Sequence, residues 1–108
     1  MERKWVARPY KYADGVPWNS DRYEIFVTDS HGDWVSVGGA IRSWSGRTIA
    51  FLSTINVNRL VRTPLDAQVM TDGLWVAGDT VRSALKTLKW KYQDPQSLLQ
   101  EARHQSLA

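Results

Sequence analysis

The chain has 108 residues, a length that reads as one domain, residues 1–108, able to bury a core without covalent staples. It has no cysteine, which excludes disulfides, thiolate metal sites and cysteine nucleophiles and fits a reducing, cytoplasmic setting. The 14 Lys and Arg against 11 Asp and Glu give a net charge of +3, which permits a polyanionic partner without demanding one, and the six tryptophans exceed what a core this small needs.

The N-terminal stretch MERKWVARPYKYADG carries charges without a following apolar segment, so no signal peptide is expected. Trp5 to Arg8 reads as a short first strand. Pro9 to Asp21 reads as a loop, with Asp14-Gly15 and Pro17 as turn chemistry. Tyr23 to Thr28 is rich in aromatic and β-branched residues and predicts a strand. Asp29 to Asp33 is a tight connection. Trp34 to Arg42 predicts the next strand, with a bulge or sharp bend at Gly38-Gly39. Arg47 to Ser53 predicts a third. Connections this short join antiparallel neighbours, so these three form a meander.

Asn56 to Arg62 reads as an extended edge. Thr63 followed by Pro64 predicts a short helix running to Met70, with the cap residue and a proline at its first position. Asp72-Gly73 is a turn, and Leu74 to Val76 adds a strand. Asp79 is the expected N-cap of a helix from Thr80 to about Tyr92. Val81, Ala84, Leu85, Leu88 and Tyr92 form its apolar stripe. Asp94-Pro95 starts a second, thinner helix with Leu98, Leu99 and Ala102 inward, and 94–108 reads as a loosely packed helical tail. No apolar run approaches the ~20 residues that span a bilayer, so no membrane partner is expected.

The fold class is therefore α+β: an antiparallel meander sheet of three to five strands, a C-terminal helix packed on it and a second short terminal helix. Ile25, Val27, Val37, Ile41, Phe51, Leu52, Val81, Leu85 and Leu88 are the expected core.

The stretch Arg42-Ser43-Trp44-Ser45-Gly46-Arg47 is the first candidate site. With Ser45-Gly46 as a two-residue hairpin loop, Trp44 and Arg47 oppose each other, and Arg42 and Ala40 share their face with Ile49 and Phe51. An Arg-Trp-Arg cluster then caps one end of the sheet. It serves either as a lid held by cation–π contacts or as a platform that stacks a base between phosphate-binding arginines. On the long helix Arg82, Lys86 and Lys89 share one face, and Trp90 lies beside Lys86, opposite the apolar stripe. Trp90 is either covered by Leu98 or Leu99 of the next helix or is part of a contact surface. A third basic group interleaves Arg3, Lys4, Arg8 and Lys11 with Trp5, Tyr10 and Tyr12.

Catalytic chemistry finds little support. Asp29-Ser30-His31-Gly32-Asp33 could ligate a metal or hold a base, yet it is also what a hairpin loop requires. His104 reads as solvated. Asp14, Asp29, Asp33 and Asp72 sit at turns, and Asp79 and Asp94 at caps. Glu24 lies mid-strand, at a sheet edge or paired with an arginine such as Arg42. No phosphate loop or nucleophile elbow is present.

The expectation is a non-enzymatic binding module without metal or cofactor. Nucleic acid is the first partner, through Arg42, Trp44, Arg47, Arg82, Lys86, Lys89 and Trp90. The alternatives are a protein-interaction module using exposed tryptophans or a sheet edge, and a small-molecule pocket between sheet and helix.

Overall fold

In the computed structural model, residues 3–9, 21–43 and 45–99 are described. Five strands run in sequence order across one antiparallel sheet: β1 (Trp5–Pro9), β2 (Asp21–Thr28), β3 (Trp34–Arg42), β4 (Thr48–Leu52) and β5 (Trp75–Gly78). Each strand pairs with the next along the chain, which is the meander; β2, β3 and β4 are joined by short turns, whereas α1 and α2 lie between β4 and β5. Helices α1 (Ile55–Leu60) and α2 (Pro64–Met70) follow β4, and α3 (Val81–Lys91) follows β5. Residues 95–99 form a further helical turn. Asp94 caps it, accepting a hydrogen bond from the Ser97 hydroxyl.

Strand alternation divides the sheet's side chains into two cores. One face carries Ile25, Val27, Val37, Ala40, Ala50, Leu52 and Val76 under Ala84 and Leu88 of α3. Trp5, Leu98 and Leu99 pack against its margin. The other face carries Ile41, Ile49 and Phe51, closed by Val61 and by Ala67 of α2. Of the expected core residues, Val81 and Leu85 are half-buried and the rest are buried.

Several expectations need correction. The stretch 56–62 is not an extended edge; its first part is the helix α1. Thr54 caps it, its side chain accepting from the Val57 N–H. The inward residue of α1 is a polar one, Asn58, and this breaks the apolar period by which a helix is recognised. The N-cap of α3 is Thr80, not Asp79. The Thr80 hydroxyl accepts from the Ser83 N–H while the Ser83 hydroxyl accepts from the Thr80 N–H, a reciprocal capping box that needs no carboxylate.

The β3–β4 turn has three loop residues, not two. Ser43 donates its N–H to the Arg47 carbonyl at 2.8 Å, and Gly46 donates to the Ser43 carbonyl at 2.9 Å. Gly46 takes φ +93°, the left-handed position that closes such a loop. Arg42 therefore pairs with Thr48, and Ile41 with Ile49. This one-residue slip moves Ile49 and Phe51 to the face opposite Arg42 and Ala40.

The sheet's irregularity falls where Ile25 pairs with Gly38 but Phe26 pairs with Ser36, leaving Val37 as the extra residue. The glycine pair beside it is required by space. A Cβ at Gly38 would overlap the Phe51 carbonyl oxygen, and one at Gly39 would overlap the Asn58 side chain. Asn58 is fully buried, donating to the Gly38 carbonyl at 3.1 Å, and the Arg22 guanidinium donates to the Asn58 carbonyl at 2.7 Å.

Candidate functional site

The order of elements brings the β3–β4 turn and the start of α3 to one end of the molecule. Thr48, just after the turn, pairs with Gly78, just before α3. Between them lies an open cleft of about 440 Å³ lined by Ser45, Gly46, Arg47, Ala77, Gly78 and Asp79. Arg42 and Arg47 are both exposed here. The register places them on opposite faces of the sheet, so they do not flank one side chain as a pair. Trp44 lies outside the described residues, as do Lys11, Tyr10, Tyr12, Asp14, Gly15, Pro17, Ala102 and His104.

Gly78 lets α3 start hard against the sheet, since a Cβ there would meet the Ala84 nitrogen at 2.8 Å. The apolar stripe then faces inward and the rest of the helix faces water. Arg82 and Lys86 are exposed, and Lys89 is half-buried. Trp90 is 78 % exposed. The following helical turn does not cover it, because Leu98 and Leu99 pack against the core on the inner side. The outward side of α3 thus carries three cations and an indole, and the whole helix holds Arg82, Lys86, Lys89 and Lys91 with no acidic residue. Lys91 lies 5.4 Å from the centroid of the Tyr92 ring.

The described tryptophans divide evenly. Trp5 and Trp75 are half-buried against the two cores, whereas Trp34 and Trp90 are exposed. Trp34 belongs to a group that reading along the chain does not bring together. The Arg8 guanidinium lies 5.8 Å from the centroid of Phe26 and 5.9 Å from that of Trp34. The sequence signal is weak: Arg8 and Trp34 are 26 positions apart, and only the β1–β2–β3 register makes them neighbours. Glu24 is not paired with Arg42; it accepts a hydrogen bond from the Ser36 hydroxyl at 2.8 Å.

The Asp29–Asp33 connection is built as turn chemistry. One Asp29 carboxylate oxygen accepts the His31 N–H at 2.8 Å and the Asp33 N–H at 3.0 Å. The Asp33 N–H, then that of His31, holds the Asp29 carboxyl below its ordinary value of 3.8. The Ser97 hydroxyl, with the nearby Arg3 guanidinium as a smaller cause, does the same for Asp94. Groups with depressed values stabilise the fold above their unfolded pKa and lose that contribution as pH falls through the folded one. Thermal melts from pH 5 to pH 2 should therefore fall less steeply for the Asp29→Asn, Asp94→Asn double variant than for the parent. Parallel curves would contradict the assignment.

No protein family, curated protein or solved structure matches the chain. Among the described residues, no helix is long and apolar enough to cross a membrane.

Proposed function

We propose that the chain is a non-enzymatic binding module whose partner is a nucleic acid, engaged by the outer side of α3 and the neighbouring turn. The observation that carries this is the acid-free face of α3, where Arg82, Lys86 and Lys89 accompany an indole that is 78 % exposed. Cations neutralise phosphates and release their counterions, and an exposed ring supplies a stacking surface for any base. Lys89 and Lys91 also complement the helix macrodipole, so the stronger argument rests on Arg82, Lys86 and Trp90. Arg42 and Arg47 at the turn extend the same basic end, with Trp44 between them in sequence.

The test is a titration of a labelled oligonucleotide followed by fluorescence anisotropy. Trp90→Ala is expected to weaken binding by roughly 1–3 kcal/mol with the salt dependence unchanged, the signature of a lost stacking contact. Equal binding by parent and variant, with the fold intact by circular dichroism, would contradict a role for Trp90.

A second reading, protein interaction, is favoured by α2. Leu65 and Val69 stand one turn apart on its outer side and are 67 % and 71 % exposed. An interface anchored there would tolerate salt that dissolves a phosphate contact.

A further inference from the structure

The two faces of the sheet are not covered to the same extent. On the face closed by α1 and α2, those helices sit over β3 and β4. Among the described residues, Arg22 of β2 is buried against Asn58 of α1, while the part formed by Arg8, Glu24, Phe26, Ser36 and Trp34 stays open. The register sets its side chains in a grid: Arg8 opposite Glu24, Phe26 opposite Ser36, and Trp34 opposite Thr28. All belong to the same side of the sheet.

The polar groups of this grid are only partly used. Arg8 and Glu24 are direct cross-strand neighbours of opposite charge, yet no ion pair joins them among the described residues. The Arg8 side chain lies over the Phe26 and Trp34 rings instead. Glu24 accepts from Ser36 through Oε2, and Oε1 takes no hydrogen bond among the described residues. Trp34 is 44 % exposed, and Lys4 and Arg8 are exposed at the adjoining edge strand. Trp34 and Ser36 are successive residues on this face of β3, Ser36 holds the Glu24 carboxylate, and the Arg8 guanidinium reaches the Trp34 ring, so an indole, a carboxylate and a cation are joined through Ser36 and Arg8.

We propose that this open half-face takes one nucleotide of a single-stranded nucleic acid, with a preference for guanine. This inference rests on the nucleic-acid reading above but concerns a separate surface, on the opposite side of the sheet from α3. The base stacks on Trp34, displacing the Arg8 guanidinium from over that ring toward the flanking phosphate. The Glu24 carboxylate then selects among bases, through Oε1 and the lone pair of Oε2 that Ser36 leaves. A carboxylate only accepts hydrogen bonds, and guanine presents two adjacent N–H donors on its Watson–Crick edge. Adenine, cytosine and uracil set acceptors beside their donors on that edge, which a carboxylate repels. The flanking phosphate meets Arg8 and Lys4, whose charge it complements.

The test uses the whole chain and oligothymidylates of equal length carrying one central guanine, one adenine or no substitution. Anisotropy titrations at low salt should show the guanine oligomer binding roughly tenfold more tightly than the adenine one, the discrimination of one bidentate base contact. Glu24→Gln should abolish that preference, and Trp34→Leu should weaken all three oligomers. Trp90→Ala should leave the preference in place. As a measurement independent of variant folding, an oligomer with photoreactive 5-iodouracil beside the guanine should crosslink to β1, β2 or β3.

Equal affinity of the parent for all three oligomers, a preference retained in Glu24→Gln, or crosslinks confined to α3 would overturn this inference while leaving the α3 reading standing. Complete displacement of the guanine oligomer by an equal concentration of free GMP would overturn the strand as occupant. Absence of parent binding to every oligomer would overturn both readings together.

Discussion

Gly38→Ala should cost more than about 3 kcal/mol of stability, beyond the ~1–3 kcal/mol usual for an overpacked site. Gly38 pairs with Ile25 on one side and with Leu52 on the other, so it lies in the interior of the sheet. An added Cβ would overlap the Phe51 carbonyl oxygen and stand 2.9 Å from the Leu52 Cα. Both are backbone atoms of β4, and neither can turn aside as a side chain can. Relief requires β3 and β4 to separate, which breaks their ladder and opens both cores at once. Gly39→Ala strikes a movable neighbour first, the Asn58 amide, but also the Tyr23 carbonyl at 2.9 Å. Displacing Asn58 disturbs its bonds to the Gly38 carbonyl and to Arg22. Urea unfolding followed by circular dichroism would measure both variants. A loss below about 1 kcal/mol for Gly38→Ala would contradict this close approach of the two strands.

Leu88→Ala should cost about 2–5 kcal/mol, the range for emptying a filled core position. Leu88 is fully buried and shares its core with Ile25, Leu52 and Val76. The site cannot collapse easily, because α3 is fixed at its start by the Thr80–Ser83 capping box and near its end by the Tyr92 hydroxyl, which donates to the Gly73 carbonyl at 3.2 Å. Leu85→Ala should cost less, since Leu85 is half-buried at the margin of the same core. The same unfolding experiment orders the two. A larger loss for Leu85 than for Leu88 would mean that α3 is rotated about its axis relative to this packing.

The meander was legible because its signals are local. Tyr23 to Thr28 and Trp34 to Arg42 carry the composition of strands, and short links force antiparallel pairing. The stripe on α3 was legible for the same reason, with five apolar residues at helical spacing. Helix α1 was hidden by Asn58, whose inward position is explained by two partners far from it in sequence, Arg22 and Gly38. The faces of the β3–β4 turn were misjudged because Ser-Gly suits a two-residue and a three-residue loop alike. One residue of slip inverts every assignment beyond it.

The candidate site was legible in part. Arg82, Lys86 and Trp90 project outward as periodicity predicts, because a helix fixes direction from spacing alone. Arg42 and Arg47 end on opposite faces, which only the register decides. The Arg8–Phe26–Trp34 group depends on three strands and a bulge, and no local pattern announces it.

The nucleic-acid reading is tested most directly by the salt dependence of oligonucleotide binding, measured for the parent and for Arg82→Ala, Lys86→Ala. Binding constants plotted against salt concentration on logarithmic axes should fall on straight lines. The line for the double variant should be shallower by about 0.7–0.9 for each cation removed, because each phosphate contact releases its counterion. No binding at low salt, or identical slopes for parent and variant, would contradict the proposal.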